Sequence, residues 1–223
     1  MLFGKLSIIG GALLAALTSW PATAIDISPL TYGPCLGMPA CRIGQAELIA
    51  EPREDDARLA EQIDRSRGSV AGLGVAHDGG NGFNNPEIQG ALREAGREAG
   101  SRHGGERLVV IFDAPHVVTS VIVAHLFNPD TVPGDAAEVA LMAGFRNGRS
   151  LGVVRLASRP GGQWAVSGPV NAVVGIAPQA GAAMLMGPFH GAPIDRLVFS
   201  APAVDGQDSS DYSLARITGH PAQ

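Results

Sequence analysis

The densest group of oxygen-bearing side chains lies between residues 78 and 87, with the sequence Asp-Gly-Gly-Asn-Gly-Phe-Asn-Asn-Pro-Glu. Hard cations such as Ca²⁺ take roughly six to eight oxygen ligands, which carboxylate, amide and backbone carbonyl groups supply. Glycines between such ligands let the backbone wrap around an ion. The sequence therefore predicts a calcium site, whose candidate ligands are Asp78, Asn81, Asn84, Asn85, Glu87 and, from near the end of the chain, Asp211.

A second interpretation of this segment needs no metal. Asn and Gly are also the usual residues of turns, because both tolerate a positive φ. Gly79-Gly-Asn-Gly resembles part of a calcium-binding nonapeptide repeat, but there is one copy and Asn stands where Asp is expected. Asp211, with Asp205 and Asp208 as further candidates, can complete the site if the last strand pairs near this loop. Calcium and a simple turn-rich loop both stay open at this point.

Ser150 lies in Gly148-Arg-Ser-Leu-Gly152, which matches the G-x-S-x-G pattern of a hydrolase nucleophile elbow. That mechanism needs a helix after the serine, so that the hydroxyl is exposed at the top of a sheet. Here Val-Val-Arg-Leu follows, which is typical of a strand, and a turn at residues 146–149 explains the glycines. We therefore predict that Ser150 lies on a strand surface, and we predict no enzymatic activity.

Sugar-binding modules use exposed aromatic rings, because ring faces stack on the apolar faces of sugars. Trp164 and Tyr212 are the candidate ligand-binding residues, with Phe83 as a third ring. Trp164 equally fits a core or edge position. Aromatic residues make up only 5% of the chain, which limits how large a stacking surface the protein can offer.

Cys35 and Cys41 are the two cysteines of the chain. In an exported protein they predict one disulfide that closes a short loop, and two free thiols are the alternative. Two cysteines at this spacing do not form a zinc site. No pair of the six histidines has the spacing of metal ligands, and His125 is interpreted as a partly buried strand residue.

The elements that must position these residues are short strands. Residues 108–112 and 117–127 are rich in Val, Ile and Phe, and Asp113-Ala-Pro-His116 between them has the chemistry of a turn. The pattern predicts a β-hairpin. Further strands are predicted near residues 46–50, 70–75, 138–143, 149–157, 164–176, 183–186, 194–200 and 211–218. Residues 55–66 fit either a short amphipathic helix or a polar excursion between strands.

Short strands separated by Gly, Pro, Asn and Asp predict an all-β, antiparallel, jelly-roll-like sandwich with one short helix near the N-terminus. Residues 1–24 are predicted to be a secretory signal peptide, because Lys5 precedes a short apolar run that ends in Ala22-Thr-Ala24. Residues 25–69 are predicted to be an N-terminal extension that carries the cysteine loop, and residues 70–223 the sandwich domain. No later stretch is apolar enough to predict a membrane span.

The net negative charge of the chain argues against nucleic acid and anionic lipid as partners. Lys5 is the single lysine, so the chain without residues 1–24 carries 15 Arg against 21 Asp plus Glu, a net charge of −6. Nucleic-acid binding requires a basic face, which this balance does not favour. The same argument counts against adsorption on anionic lipid.

Three stretches together resemble a known group of proteins. They are Gly72-Leu-Gly-Val75 with the Asn-rich loop ending at Glu87-Ile88, residues 106–120 (Glu-Arg-Leu-Val-Val-Ile-Phe-Asp-Ala-Pro-His-Val-Val-Thr-Ser), and residues 211–217 (Asp-Tyr-Ser-Leu-Ala-Arg-Ile). They are similar to the β-sandwich domain of bacterial exported proteins sorted by exosortases, the PEP-CTERM group. The sequence departs from that group because it has no Pro-Glu-Pro motif, terminal apolar helix or basic end.

The resemblance implies an exported sandwich, and the missing sorting motif implies a freely secreted or periplasmic one. The expected sandwich also resembles carbohydrate-binding jelly rolls. The expectation is therefore a non-enzymatic protein with a binding or structural role in the envelope or extracellular matrix, whose partners are extracellular polysaccharide or envelope components. A carbohydrate-binding module with a structural calcium ion is the alternative.

Overall fold

The computed structural model describes residues 24–51, 56–63, 70–76, 87–88, 92–93, 105–127, 137–202, 204–205 and 211–223. These residues form an all-β, mostly antiparallel, sandwich-like fold with one short helix, α1 (Pro29–Tyr32). The strands in chain order are β1 Ile25–Ile27, β2 Ala40–Ile43, β3 Ala46–Glu51, β4 Arg58–Ile63, β5 Ala71–Ala76, β6 Leu92–Arg93, β7 Arg107–Ala124, β8 Val139–Arg146, β9 Arg149–Arg159, β10 Gln163–Ser167, β11 Ala172–Ala177, β12 Ala182–Met186, β13 Ile194–Ser200, β14 Val204–Asp205 and β15 Ser213–Pro221.

One long strand, β7, connects the two layers of the fold. Its first half, up to Phe112, pairs with β3 on one side and β13 on the other. Its second half, from Val117, pairs with β12 and β15. The first layer runs β10-β9-β8-β13-β7-β3-β2, and the second runs β11-β12-β7-β15-β5-β4. Within the described residues these strands and β1 form a single thirteen-stranded sheet, and β6 and β14 form a separate parallel pair.

The continuity of β7 corrects the predicted hairpin. Residues 107–124 form one strand of 18 residues, and Asp113-Ala-Pro-His116 is a bend inside it. At this bend the register of β13 shifts, so that Ile194 lies opposite His116 but Arg196 lies opposite Ile111. Pro115 has no N–H to donate, and its carbonyl accepts a bond of 2.9 Å from the Ala222 amide. The turn-forming residues therefore redirect the strand into the second layer without reversing it.

The N-terminal part of the chain belongs to the sheet. β1 pairs with β15, β3 with β7, and β4 with β5. The predicted extension at residues 25–69 is thus an integral part of the sandwich in every segment that is described. The helical interpretation of residues 55–66 is also wrong, because residues 58–63 form β4. Leu59 is fully buried in that strand, whereas Ile63 is 38% exposed, so the two do not share one buried helical face.

The core lies between the two layers, and both contribute to it. The largest fully buried apolar or aromatic side chains are Tyr32, Tyr212, Phe199, Ile27, Leu48, Leu59, Leu73, Ile88, Leu108, Leu126, Leu156 and Leu185. They form one contiguous cluster with the neighbouring buried residues. Burial of this kind stabilises by about 1.5 to 3 kcal/mol for each large side chain, before entropy is subtracted. A continuous core of this size fixes the loop ends at which the candidate site lies.

Candidate functional site

Three carboxylates converge at one end of the sandwich. Glu87 lies beyond β5, Glu138 immediately precedes β8, and Asp211 lies two residues before β15. Glu87 is buried, with 4% of its surface exposed, and the other two are partly buried. Glu87 and Asp211 are two of the six predicted calcium ligands. Glu138 was not predicted from the sequence.

Backbone hydrogen bonds between loop ends hold this acidic cluster together. The Ile88 amide donates to the Tyr212 carbonyl at 2.7 Å, which ties the Glu87 segment to the Asp211 segment. The Glu138 amide donates to the Phe127 carbonyl at 3.3 Å. In return, the Phe127 amide donates to the Oε2 oxygen of the Glu138 carboxyl group. The cluster therefore joins the end of β7 to the starts of β8 and β15.

Burial and like charge raise the pKa of Glu138 to about 10. The largest cause is loss of solvent, followed by the negative charge of Asp211 and a side-chain hydrogen bond with it. The charge of Glu87 raises the pKa further, and the Phe127 amide lowers it. Glu138 therefore keeps its proton at neutral pH and shares it with Asp211.

Such a cluster can relieve its repulsion by holding a proton or by binding a cation. Among the described residues, no group of three or more His, Cys, Asp or Glu side chains is arranged to hold a metal ion. A calcium ion at this end of the sandwich would therefore need further ligands from outside the described residues. Asp78, Asn81, Asn84 and Asn85 lie outside the described residues, as do Phe83 and Asp208, so the calcium site stays a prediction.

Tyr212 is a core residue. Its side chain is fully buried, and its hydroxyl lies 3.0 Å from the Leu141 carbonyl and 3.1 Å from the Ser200 carbonyl. Burial raises the pKa of Tyr212 above the ordinary range of a phenol. The ring leaves no face for a sugar to stack on, which corrects its assignment as a ligand-binding residue. Because Tyr212 directly follows Asp211, its buried ring instead holds the backbone at Asp211 in place beside the acidic cluster.

Trp164 is partly buried and lies at an edge of the sandwich. It belongs to β10, packs against the main core, and points its indole Nε1 towards Gly175 of β11. A Cβ added at Gly175 would come within 3.0 Å of that nitrogen, so the strand passes very close to the ring. Trp164 therefore bridges the first and second layers, and only the remaining part of its ring is accessible to a ligand.

Two serines could be considered as nucleophiles. Ser150 is the second residue of β9, close to the turn that connects β8 to β9. Its hydroxyl accepts a hydrogen bond of 3.1 Å from the Gly152 amide. Ser213 forms a 2.7 Å hydrogen bond with His125 Nδ1, but both side chains are fully buried. A buried hydroxyl cannot reach a substrate without local opening. The Ser213–His125 pair thus holds β7 to β15.

The predicted disulfide is present. Cys35 and Cys41 are bonded, with their Cα atoms 5.4 Å apart. The loop they close is fastened to the sheet, because the Gly37 amide donates to Leu59 and the Leu59 amide donates to Met38, each at 2.8 Å. The bridge therefore joins a surface loop to the end of the core in which Cys35 is buried.

Comparison with known proteins adds no assignment. No protein-family model matches the chain, and no curated protein matches it either. In the portion of the chain that the structure describes, no helix has the length and apolar character needed to cross a membrane.

Proposed function

We propose that the protein is an exported, non-enzymatic β-sandwich with a binding or structural role in the envelope or extracellular matrix. The observation that carries the proposal is the Cys35–Cys41 disulfide on a small β-sandwich. Disulfides persist in oxidising compartments and are rare in the cytosol. The signal-like residues 1–24 and the resemblance to exported PEP-CTERM proteins support a secreted or periplasmic location.

The environment of the two candidate nucleophiles supports the non-enzymatic part of the proposal. Ser150 is followed by strand, where a nucleophile elbow requires a helix. Ser213 and His125 are enclosed in the core. The raised pKa of Glu138 is explained by its buried neighbours, and ion-pair and carboxylate networks with structural roles shift pKa values in the same way.

A carbohydrate-binding module with a structural calcium ion is the second candidate. Two observations favour it: Trp164 keeps part of its ring accessible at a sandwich edge, and two predicted calcium ligands, Glu87 and Asp211, meet in one acidic cluster. Exposed aromatic rings bind sugars by stacking. The two candidates share the same fold and location, and they differ in whether the partner is a glycan.

The test is retention of the exported protein on an isolated envelope and matrix fraction and on a panel of insoluble polysaccharides. The main proposal predicts retention by the envelope or matrix fraction without release of any hydrolysis product. The carbohydrate alternative predicts retention by a polysaccharide that is lost in Trp164→Ala and kept in the control Val153→Ala, since Val153 is an exposed residue on β9. No retention on any of these materials, or measurable turnover, would contradict the proposal.

A further inference from the structure

One edge of the second layer has no paired strand among the residues that the structure describes. Strand β11 pairs with β12, from Ala172 opposite Met186 to Ala177 opposite Ala182. Among the described residues no other strand pairs with β11, and no backbone hydrogen bond from residues 172–177 reaches a further strand. Within the described part of the chain, the outer edge of β11 therefore leaves its strand-spaced N–H and C=O groups unpaired.

The outer face beside this edge is apolar. Val174 lies opposite Met184, and Met184 lies opposite Ile122, so three apolar side chains form one cross-strand row. Val174, Ile176 and Met186 are 44%, 48% and 43% exposed. Exposed apolar side chains that are contiguous in register are typical of interaction surfaces.

The edge also lacks the charges that usually prevent strand pairing. No Asp, Glu, Lys or Arg occurs between Arg159 and Asp195, a stretch that includes β10, β11 and β12. Natural edge strands are commonly protected by lysine or by inward-pointing charge. The protein as a whole is acidic, so the absence of charge here is a local property of this edge.

We propose that β11 pairs antiparallel with β11 of a second copy of this chain. An isologous contact places the same residues on both sides, so an acidic or basic edge would repel itself and an uncharged one does not. Pairing about Val174 places Val174 opposite its own copy and Ala172 opposite Ile176, a small side chain against a large one. The register of β11 with β12 is regular from Ala172 to Gly175 and shifts between Gly175 and Ala177, so the centre of this pairing, residues 173–175, lies in the regular part of the strand.

A strand of a second copy fits this surface better than other occupants. The open backbone groups require hydrogen bonds, which a lipid surface does not provide. A partner recognised by charge has no charged group on this edge to bind. Antiparallel pairing of β11 with itself satisfies the edge on both copies at once, closes with two-fold symmetry, and continues the apolar row from one copy to the other.

The first test is cross-linking through a single introduced cysteine in the full chain. Directly opposite residues of an antiparallel pair have Cα atoms roughly 4.5 to 5.5 Å apart, which is within the range that a disulfide spans. Val174→Cys should therefore form a covalent dimer on air oxidation, because the native cysteines are already bonded to each other. The control Val153→Cys is equally exposed but lies on β9 of the first layer, opposite Ala143 of β8 and not on β11, and should stay monomeric.

The second test is the mass of the particle in solution by sedimentation, at protein concentrations on the order of tens of micromolar. The parent and Val153→Lys should have twice the mass of one chain, and Val174→Lys the mass of one chain with an unchanged far-ultraviolet spectrum. A monomeric parent would overturn the proposal, and flotation of that monomer with phosphatidylcholine vesicles would assign the patch to a lipid surface instead. Equal cross-linking of Val174→Cys and Val153→Cys would overturn the proposed register.

Discussion

At the scale of single residues, the protonation of Glu138 is the most consequential feature of the acidic end. The unfolded chain loses this proton near the ordinary pKa of 4.5, whereas burial beside Asp211 and Glu87 raises the folded-state pKa to about 10. The folded state therefore binds more protons than the unfolded state between these two values. The stabilisation is complete below the lower pKa and is lost as the pH rises through this window.

We predict that the free energy of unfolding of the parent falls between about pH 5 and pH 9, by at most roughly 1.4 kcal/mol for each pH unit from this group. Glu138→Gln should remove most of this slope and should be at least as stable as the parent at pH 8. The reason is that the amide stays neutral and can still donate to Asp211. Urea denaturation at several pH values measures the effect.

Glu47→Gln serves as the control for this prediction, because Glu47 is a partly exposed carboxylate on β3, well away from the cluster. It should keep the pH dependence of the parent. An unchanged slope in Glu138→Gln would show that Glu138 is ionised in the folded protein, and the account of the acidic cluster would then be wrong.

The sequence identifies Asp211 and Tyr212 as candidate site residues, but it does not predict which of their side chains is buried. Asp211 and Tyr212 are neighbours, yet the strand that follows turns the tyrosine ring into the core and leaves the carboxylate at the rim. Glu138 has no sequence signal, because it acquires its role only when the end of β7 lies beside the starts of β8 and β15. A carboxylate just before a predicted strand is too common a pattern to indicate a site.

At the scale of elements, β7 determines the architecture. The sequence predicts that residues 108–112 and 117–127 are extended, since both are rich in β-branched side chains, and this is confirmed as far as Ala124, where β7 ends. It does not predict that they form one strand, because Asp and Pro are equally compatible with a turn and with a bend. The choice is made by partners distant in the chain, namely β3 and β13 for the first half and β12 and β15 for the second.

Phe112→Ala should destabilise the protein by about 3 to 5 kcal/mol, because Phe112 is 3% exposed at the end of the first half of β7 and its removal leaves a cavity. Its neighbour Ile111 points outward and is 37% exposed, so Ile111→Ala should cost about 1 kcal/mol or less. Chemical denaturation measures both variants. Equal midpoints for the two variants would contradict the core position of Phe112.

The local sequence is sufficient to predict the short hairpin between β8 and β9. Asn147 and Gly148 connect β8 to β9 with φ values of 50° and 73°, the backbone that Asn-Gly favours in a two-residue turn. By contrast, Leu59 and Ile63 have helical spacing, and β4 nevertheless forms because it pairs along the whole of β5. Pairing with an already extended, apolar strand outweighs a weak helical periodicity.

The disulfide acts on a short loop, so its contribution should be modest. The double variant Cys35→Ala with Cys41→Ala should lower the free energy of unfolding by about 1 to 3 kcal/mol, according to the loop-entropy argument. The fold itself should persist, because β2 and β3 remain paired. Urea denaturation, with the parent in reductant as a second comparison, checks this. Complete unfolding of the double variant would show that the bridge is a condition for folding.

At the scale of the whole molecule, the sandwich brings together groups that are far apart in the chain. Glu87, Glu138 and Asp211 lie on three separate loop ends, and the sequence made the approach of Asp211 to the residue-87 segment conditional on where the last strand pairs. The sequence does not predict that Glu138 joins them, because its position depends on where β8 starts relative to β15. The predicted calcium ligands Asp78, Asn81, Asn84 and Asn85 lie outside the described residues, so the calcium site stays a prediction.

Calcium should raise the melting temperature of the protein. Binding to the native state alone stabilises by about 2.7 kcal/mol at a hundredfold excess over Kd, and extracellular sites are often weak, so millimolar concentrations are appropriate. Because Glu138 must lose its proton when a cation joins the cluster, the increase should be larger at pH 8 than at pH 5. Thermal melts in EDTA and in calcium at both pH values measure it.

Asp78→Ala and Asp211→Asn should each abolish this increase, and Glu47→Gln should keep it. Identical melts of the parent in EDTA and in several millimolar calcium would remove the site. An increase that survives in both Asp variants would place the ion elsewhere on the protein.

The most direct test of the proposal that this disulfide-bonded sandwich is exported is the intact, unreduced mass of the chain after expression of the full sequence in a Gram-negative bacterium. Cleavage after Ala24 leaves Ile25 as the first residue, and Ile25 begins β1 and is buried. We predict a mass that starts at Ile25 and is lower by two hydrogens than that of the dithiol, recovered from the periplasm or the medium. A chain recovered from the cytoplasm with residues 1–24 attached and both thiols free would contradict the account.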